Sequence, residues 1–166
     1  LMLIAVGCGE FPNKQPTGSE TKQFFANARR RDATDAESKF VVRVPGCTAF
    51  FIENTKNQAI VASARHCFEF SATTFCQNGG TFRTNDGETG RCKDVLAGDT
   101  QHDIVMFRAE FPFVPEPERT LRVSGFKPDV ATRLKMIGYP GDPERRGRLT
   151  VTDQCWILQS DASSPF

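Results

Sequence analysis

Several things are scarce in this chain of 166 residues. It has one tryptophan, one tyrosine and two histidines. With so few imidazoles, a metal centre built mainly from histidine is excluded, and each histidine becomes informative. Charge of one sign is also lacking: 21 basic side chains stand against 20 acidic ones, a net charge of +1. That balance supplies no electrostatic reason to expect nucleic acid as a partner. No long hydrophobic run is present. The most apolar stretch, Leu1 to Val6, falls far short of the ~20 residues that a membrane-spanning helix needs. No internal repeat or low-complexity segment is visible.

What is present points to an exported β protein. Six cysteines in one domain-sized chain suit an oxidising compartment. Leu1-Met2-Leu3-Ile4-Ala5-Val6-Gly7-Cys8 resembles the end of a bacterial lipoprotein signal peptide. On that reading residues 1–8 are a clipped leader outside the fold, and Cys8 is the candidate for lipidation. Residues 9–38 are polar and carry Pro12, Pro16 and Gly18. They are expected to form a tether or pro-segment, with a short helix near Thr21–Arg31. The expected location is the bacterial cell envelope, lipid-anchored or periplasmic, or the medium. Membrane contact is expected only through Cys8.

From residue 39 onward the sequence alternates short strands with turn chemistry. Strands are expected at Phe40–Val44, closed by Pro45-Gly46, at Cys47–Ile52 and at Gln58–Ser63. Asp86-Gly87 signals a hairpin between Thr81–Thr84 and the region of Cys92. Asp103–Phe107, Leu121–Val123, Leu134–Gly138 and Leu149–Leu158 follow. No segment in this region shows a helical apolar period. Short strands with Gly and Pro turns predict an all-β barrel or sandwich, and the 15 phenylalanines predict a Phe-rich core.

Two stretches carry chemistry. Ile60-Val61-Ala62-Ser63-Ala64-Arg65-His66-Cys67 is an apolar strand that stops in a tight turn, holding an imidazole at the rim of a core. Gln101-His102-Asp103-Ile104-Val105-Met106-Phe107-Arg108 sets a carboxylate at the mouth of a second apolar strand. A base that titrates near neutrality and a buried carboxylate to orient it are two parts of nucleophilic acyl transfer. Cys47 precedes Cys67 across a strand–turn–strand, and a bridge there would clamp the turn that carries His66.

Gly46-Cys47-Thr48-Ala49-Phe50-Phe51-Ile52, the run from Ile60 to Cys67, and the stretch from His102 to Arg108 together resemble the chymotrypsin/trypsin family of serine proteases. Lys135-Met136-Ile137-Gly138-Tyr139-Pro140-Gly141-Asp142 resembles a stretch frequent in its bacterial members. The resemblance implies a trypsin-like double antiparallel β-barrel. It implies His66 as general base, Asp103 as its orienter, a Cys47–Cys67 disulfide, a protein or peptide substrate and no cofactor.

Arg65 stands where the family motif commonly has alanine, and its side chain is expected to point to solvent. An Ile-Val-Gly-Gly start and the Gly-Asp-Ser-Gly-Gly-Pro motif of the nucleophile are missing. Ser160-Asp161-Ala162-Ser163-Ser164-Pro165 is a poor substitute. The expectation is therefore a protease domain over 39–166 whose second barrel is incomplete, with the serine beyond Phe166 and no nucleophile within the chain. Cys155 would then await a partner in the absent part. Two alternatives stand: an inactive homologue acting as a surface binding module, and a disulfide-stapled β domain whose His66 and Asp103 are structural.

Cys76 and Cys92 flank the Asp86-Gly87 hairpin, and a disulfide closing it is expected. A zinc site from Cys67, Cys76, Cys92 and His102 has spacings that fit no zinc knuckle, so no metal is expected. His102 is expected to be plain surface, and the protein a monomer.

Overall fold

The computed structural model describes residues 4–8, 30–52, 58–68, 71–122, 133–139 and 147–160. They are mostly strand and fall into two compact units. The larger spans Thr34–Val123 and Gly138–Leu149; the other gathers Leu1–Ala33, Ser124–Ile137 and Thr150–Phe166.

The larger unit is a closed antiparallel barrel. Its strands are β3 (Val41–Val44), β4 (Cys47–Ile52), β5 (Ala59–Ala64), β6 (Thr81–Thr84), β7 (Thr89–Asp99) and β8 (Ile104–Glu110). They close in the order β3-β4-β5-β8-β7-β6, with β3 pairing back to β6. The period-2 pattern builds the core directly. Val42 and Val44, Ala49 and Phe51, Ala59 and Val61, Phe82, Cys92, and Val105, Phe107 and Ala109 all point inward. Phe51, Phe82 and Phe107 are fully buried. Phe68, Phe75, Phe111 and Phe113 pack onto them, so the expected Phe-rich core is realised, with one ring cluster of Phe51, Phe111 and Phe113 and another of Phe68, Phe75, Phe82 and Phe107. The Phe111 ring occupies the space that a Cβ on Gly90 would need, so only glycine fits there.

Both predicted turns form. Gly46 and Gly87 take left-handed φ of 77° and 97°, and Thr84 Oγ1 donates to the Asp86 carboxylate inside the second turn. Two disulfides join Cys47 to Cys67 and Cys76 to Cys92, with Cα atoms 6.0 and 4.9 Å apart. The first closes a 20-residue separation. Loop-closure entropy assigns such a bridge about 3 kcal/mol. Replacing both Cys47 and Cys67 by alanine is therefore expected to lower the unfolding free energy in guanidinium titration by about that amount.

The smaller unit contains a sheet of β1 (Ile4–Cys8), β10 (Thr150–Ser160) and β2 (Arg30–Asp32), with β9 (Arg133–Gly138) also pairing with β10. Three expectations are corrected here. Ile4–Cys8, expected outside the fold, pairs antiparallel with β10 and sets Cys8 opposite Cys155. Cys155 does not await a partner, being fully buried and disulfide-bonded. Residues 30–38 are not tether either. Arg30–Asp32 is a strand whose Arg31 Nε reaches Asp153 Oδ2 at 2.8 Å. Asp35–Ser38, in the larger unit, is a helical turn started by a Thr34/Glu37 capping box. Residues 9–29, 53–57 and 161–166 lie outside the described residues.

A second helix, Ala72–Gln77, was not expected. Ser71 caps it through Thr74 N, and Cys76 ties it to β7. The expected strand Leu121–Val123 is reduced to a single bridge between Leu121 and Ile52, and Val123 is outside the described residues.

Candidate active site

Strand register creates the site. β5 and β8 pair with Ala64 opposite Ile104, which leaves Arg65 and Asp103 facing one another where the ladder ends. Arg65 N–H donates to the Asp103 carbonyl at 3.0 Å. The chain then turns through one 3-10 turn, Arg65–Cys67, and Cys67 is bonded to the first residue of β4. His66 is thus carried on a three-residue turn fixed at both ends.

Asp103 completes the fixation. Its φ of 55° is the only left-handed value among described residues other than glycine, a conformation in which aspartate is enriched. That twist aims the carboxylate back at the turn. Oδ1 accepts the His66 backbone N–H at 2.8 Å, and Oδ2 meets His66 Nδ1 at 2.5 Å. A carboxylate can only accept, so Nδ1 carries the proton, and in the neutral ring Nε2 is left with its lone pair. Arg65 is exposed, as expected.

The prediction of a buried carboxylate is corrected. The side chains of His66 and Asp103 are 71% and 47% exposed, so relief of desolvation is not what holds them together. Direct hydrogen bonds are. The imidazole hydrogen bond first, and the His66 backbone N–H second, hold the Asp103 carboxyl below its ordinary value of 3.8. A lowered folded value means that this contribution is present above the ordinary carboxylate range and is lost as pH falls through the lowered value. The midpoint of the Asp103 carboxyl carbon in an NMR titration should therefore lie below 3.8. In His66→Ala it should move up but remain depressed, because the backbone donor survives.

His102, expected as plain surface, has a partner of its own. Asp99 Oδ2 meets His102 Nδ1 at 2.5 Å, while Asp99 Oδ1 accepts the N–H groups of Gln101 and His102 at 2.7 and 3.2 Å. This ordered turn delivers the chain to Asp103. Asp99 was missed in the sequence, although an aspartate that bonds the backbone two residues ahead is a known turn signal. Gly138 was read as the end of a strand and, with Tyr139, as part of a family signature. Here Tyr139 N–H donates to Thr48 Oγ1 at 2.8 Å and the Arg43 guanidinium lies over the Tyr139 ring at 5.2 Å. Burial raises the Tyr139 phenol. Pro140 to Asp142 are outside the described residues.

Beside the turn lies a cavity of about 540 Å³ lined by Pro45, Gly46, Cys67, Phe68 and Phe75 among others. The zinc set of Cys67, Cys76, Cys92 and His102 is not assembled, because its cysteines are in two different disulfides. Among the described residues, the group close enough to hold a metal is Cys47, His66 and Cys67, whose ligand atoms lie within 4.8 Å of one another. Nor do the described residues bring a serine hydroxyl into hydrogen-bond contact with His66, whose polar partners are both on Asp103. What the arrangement can do chemically is hold a neutral imidazole in one tautomer and accept a proton at Nε2.

No protein-family model matches the chain, and no curated protein matches it.

Proposed function

We propose that this chain is the base-bearing part of a trypsin-like serine endopeptidase, with the six-stranded barrel as the first of two barrels and the β1-β10-β2 sheet belonging to the second. One observation carries this reading: His66 Nδ1 lies 2.5 Å from Asp103 Oδ2 on a turn tied to β4 by the Cys47–Cys67 disulfide. A solvated structural histidine has no need of a carboxylate held in a left-handed backbone conformation, a backbone clamp and a disulfide.

In the reaction, His66 Nε2 takes the proton from a serine hydroxyl as its oxygen bonds to the peptide carbonyl carbon. The Asp103 carboxylate stabilises the imidazolium so formed. Nε2 then gives the proton to the departing amine, the C–N bond breaks, and water hydrolyses the acyl-enzyme by the same route. The serine is not among the groups that touch His66 here; in this reading a further part of the protein supplies it. Export to the cell envelope suits the disulfides.

The test is labelling of the full-length protein by a fluorophosphonate, which reacts with an activated serine. One labelled site in the wild type that is lost in His66→Ala supports the reading. A full-length protein that folds with the dyad intact and takes no label overturns it in favour of a binding module.

A further inference from the structure

We propose a second chemistry at the same turn: when the Cys47–Cys67 disulfide is reduced, Cys47, Cys67 and His66 bind one zinc ion. Three observations lead there. First, the two sulfurs and a ring nitrogen of His66 lie within 4.8 Å of one another. Ligand atoms of a tetrahedral zinc ion with two thiolates and an imidazole are about 3.5–3.8 Å apart, so once the S–S bond opens the sulfurs must part by roughly 1.7 Å from bonding distance and the ring nitrogen close in by up to about 1 Å. Second, His66 already has its Nδ1 on the Asp103 carboxylate. Metal-ligating histidines carry just such a partner on the nitrogen away from the metal, which orients the ring and raises its basicity. Third, the turn does not depend on the disulfide alone. Arg65 N–H, His66 N–H and His66 Nδ1 all bond to Asp103, and Cys47 begins a strand paired on both sides of its sequence to β3 and β5 neighbours. The backbones that carry both cysteines therefore stay side by side after the S–S bond opens, and the sulfurs can part by side-chain rotation. Both cysteines are half-buried rather than sealed, and Cys67 lines the cavity of about 540 Å³, which admits a reductant.

The chemistry balances with a dithiol as reductant. It delivers two electrons and two protons to the S–S bond, leaves as its cyclic disulfide, and yields two thiols; zinc then displaces both thiol protons to solvent. With Nδ1 on Asp103, the lone pair open to the ion is that of His66 Nε2, so the proposal requires the ring to present Nε2 to the sulfurs; that is the atom that accepts a proton in any base role. Reduction together with zinc thus removes the base, and exchange with an added disulfide, which takes the two electrons and leaves as two thiols, re-forms the S–S bond and releases the ion.

The binding does not rest on the proteolytic reading, and neither does its test. The protein is reduced with dithiothreitol, freed of it under argon, and titrated with zinc chloride against a chromophoric chelator. To isolate the site the same is done with Cys76→Ser/Cys92→Ser and with Cys155→Ser. Expected are one zinc per chain in the reduced forms and none in the oxidised protein. Cys47→Ser should abolish uptake, and Asp103→Asn should weaken it about 10- to 100-fold, the range for partners of metal-bound histidines. Cobalt in place of zinc should give a thiolate charge-transfer band that Cys67→Ser removes. Circular dichroism is followed throughout. If reduction loosens the fold, zinc should restore it in the wild type and not in His66→Gln. No uptake by the reduced protein, equal uptake by Cys47→Ser, loss of uptake on removing Cys76 and Cys92, or no restoration by zinc would each overturn the proposal.

Discussion

In the proposed full-length enzyme, Asp103→Asn lowers kcat by about 10⁴-fold while the fold survives. The carboxylate accepts on both oxygens, from His66 N–H and from Nδ1–H. An asparagine can still accept from the backbone N–H through its carbonyl. Its amide then turns a donor toward Nδ1, so the ring proton must move to Nε2 and the base loses its lone pair. The backbone is spared because asparagine, like aspartate, tolerates the left-handed conformation at φ 55°. Steady-state kinetics with a peptide substrate measure the loss, and ¹⁵N spectra of the imidazole report the tautomer. Activity within tenfold of the wild type would show that Asp103 does not set the tautomer, even if His66 matters.

The largest stability change is expected at Phe107. It is fully buried on β8, and its ring stands 4.8 Å from Phe68, 5.8 Å from Phe75 and 5.4 Å from Phe82. Phe107→Ala removes the centre of that cluster, which the barrel walls cannot collapse to fill. About 3–5 kcal/mol is expected, a large share of the 5–15 kcal/mol that a domain of this kind has in total. Phe68 directly follows the His66 turn, so the cavity also loosens the segment that carries the base. Guanidinium unfolding measures the stability, and hydrogen exchange at Arg65 and His66 measures the turn. Phe107→Leu, which keeps most of the volume, should cost under about 1.5 kcal/mol. A loss under 1 kcal/mol for the alanine variant would mean that the neighbouring rings close the gap.

Much of the barrel was legible in the chain. Short apolar runs bounded by turn residues, Cys47–Ile52 with its aromatics and Ala59–Ala64 with its β-branched pair, read as strands, and Asp86-Gly87 can serve the hairpin because glycine takes positive φ there. The helix Ala72–Gln77 was not legible. Six residues are less than two turns, too few to show a helical period, and its stability comes from the Ser71 cap and the Cys76–Cys92 bond. Asp35–Ser38 was legible in principle through Thr34 and Glu37, a pair spaced as a capping box.

For the site, the division follows the range of the interactions. Residue types, spacing and turn chemistry singled out His66, Asp103 and the Cys47–Cys67 clamp, because strand period and turn preference are local properties written into consecutive residues. That Asp103 is half exposed, twists to φ 55° and spends one oxygen on a backbone N–H thirty-seven residues away was decided only when β5 and β8 came into register. The pairing of Ile4–Cys8 with β10 belongs to the same class: an apolar run ending in cysteine reads alike as leader or strand, and only a partner strand more than a hundred residues distant distinguishes them. Such pairing depends on which edges meet, and that is a property of the folded chain rather than of any stretch within it.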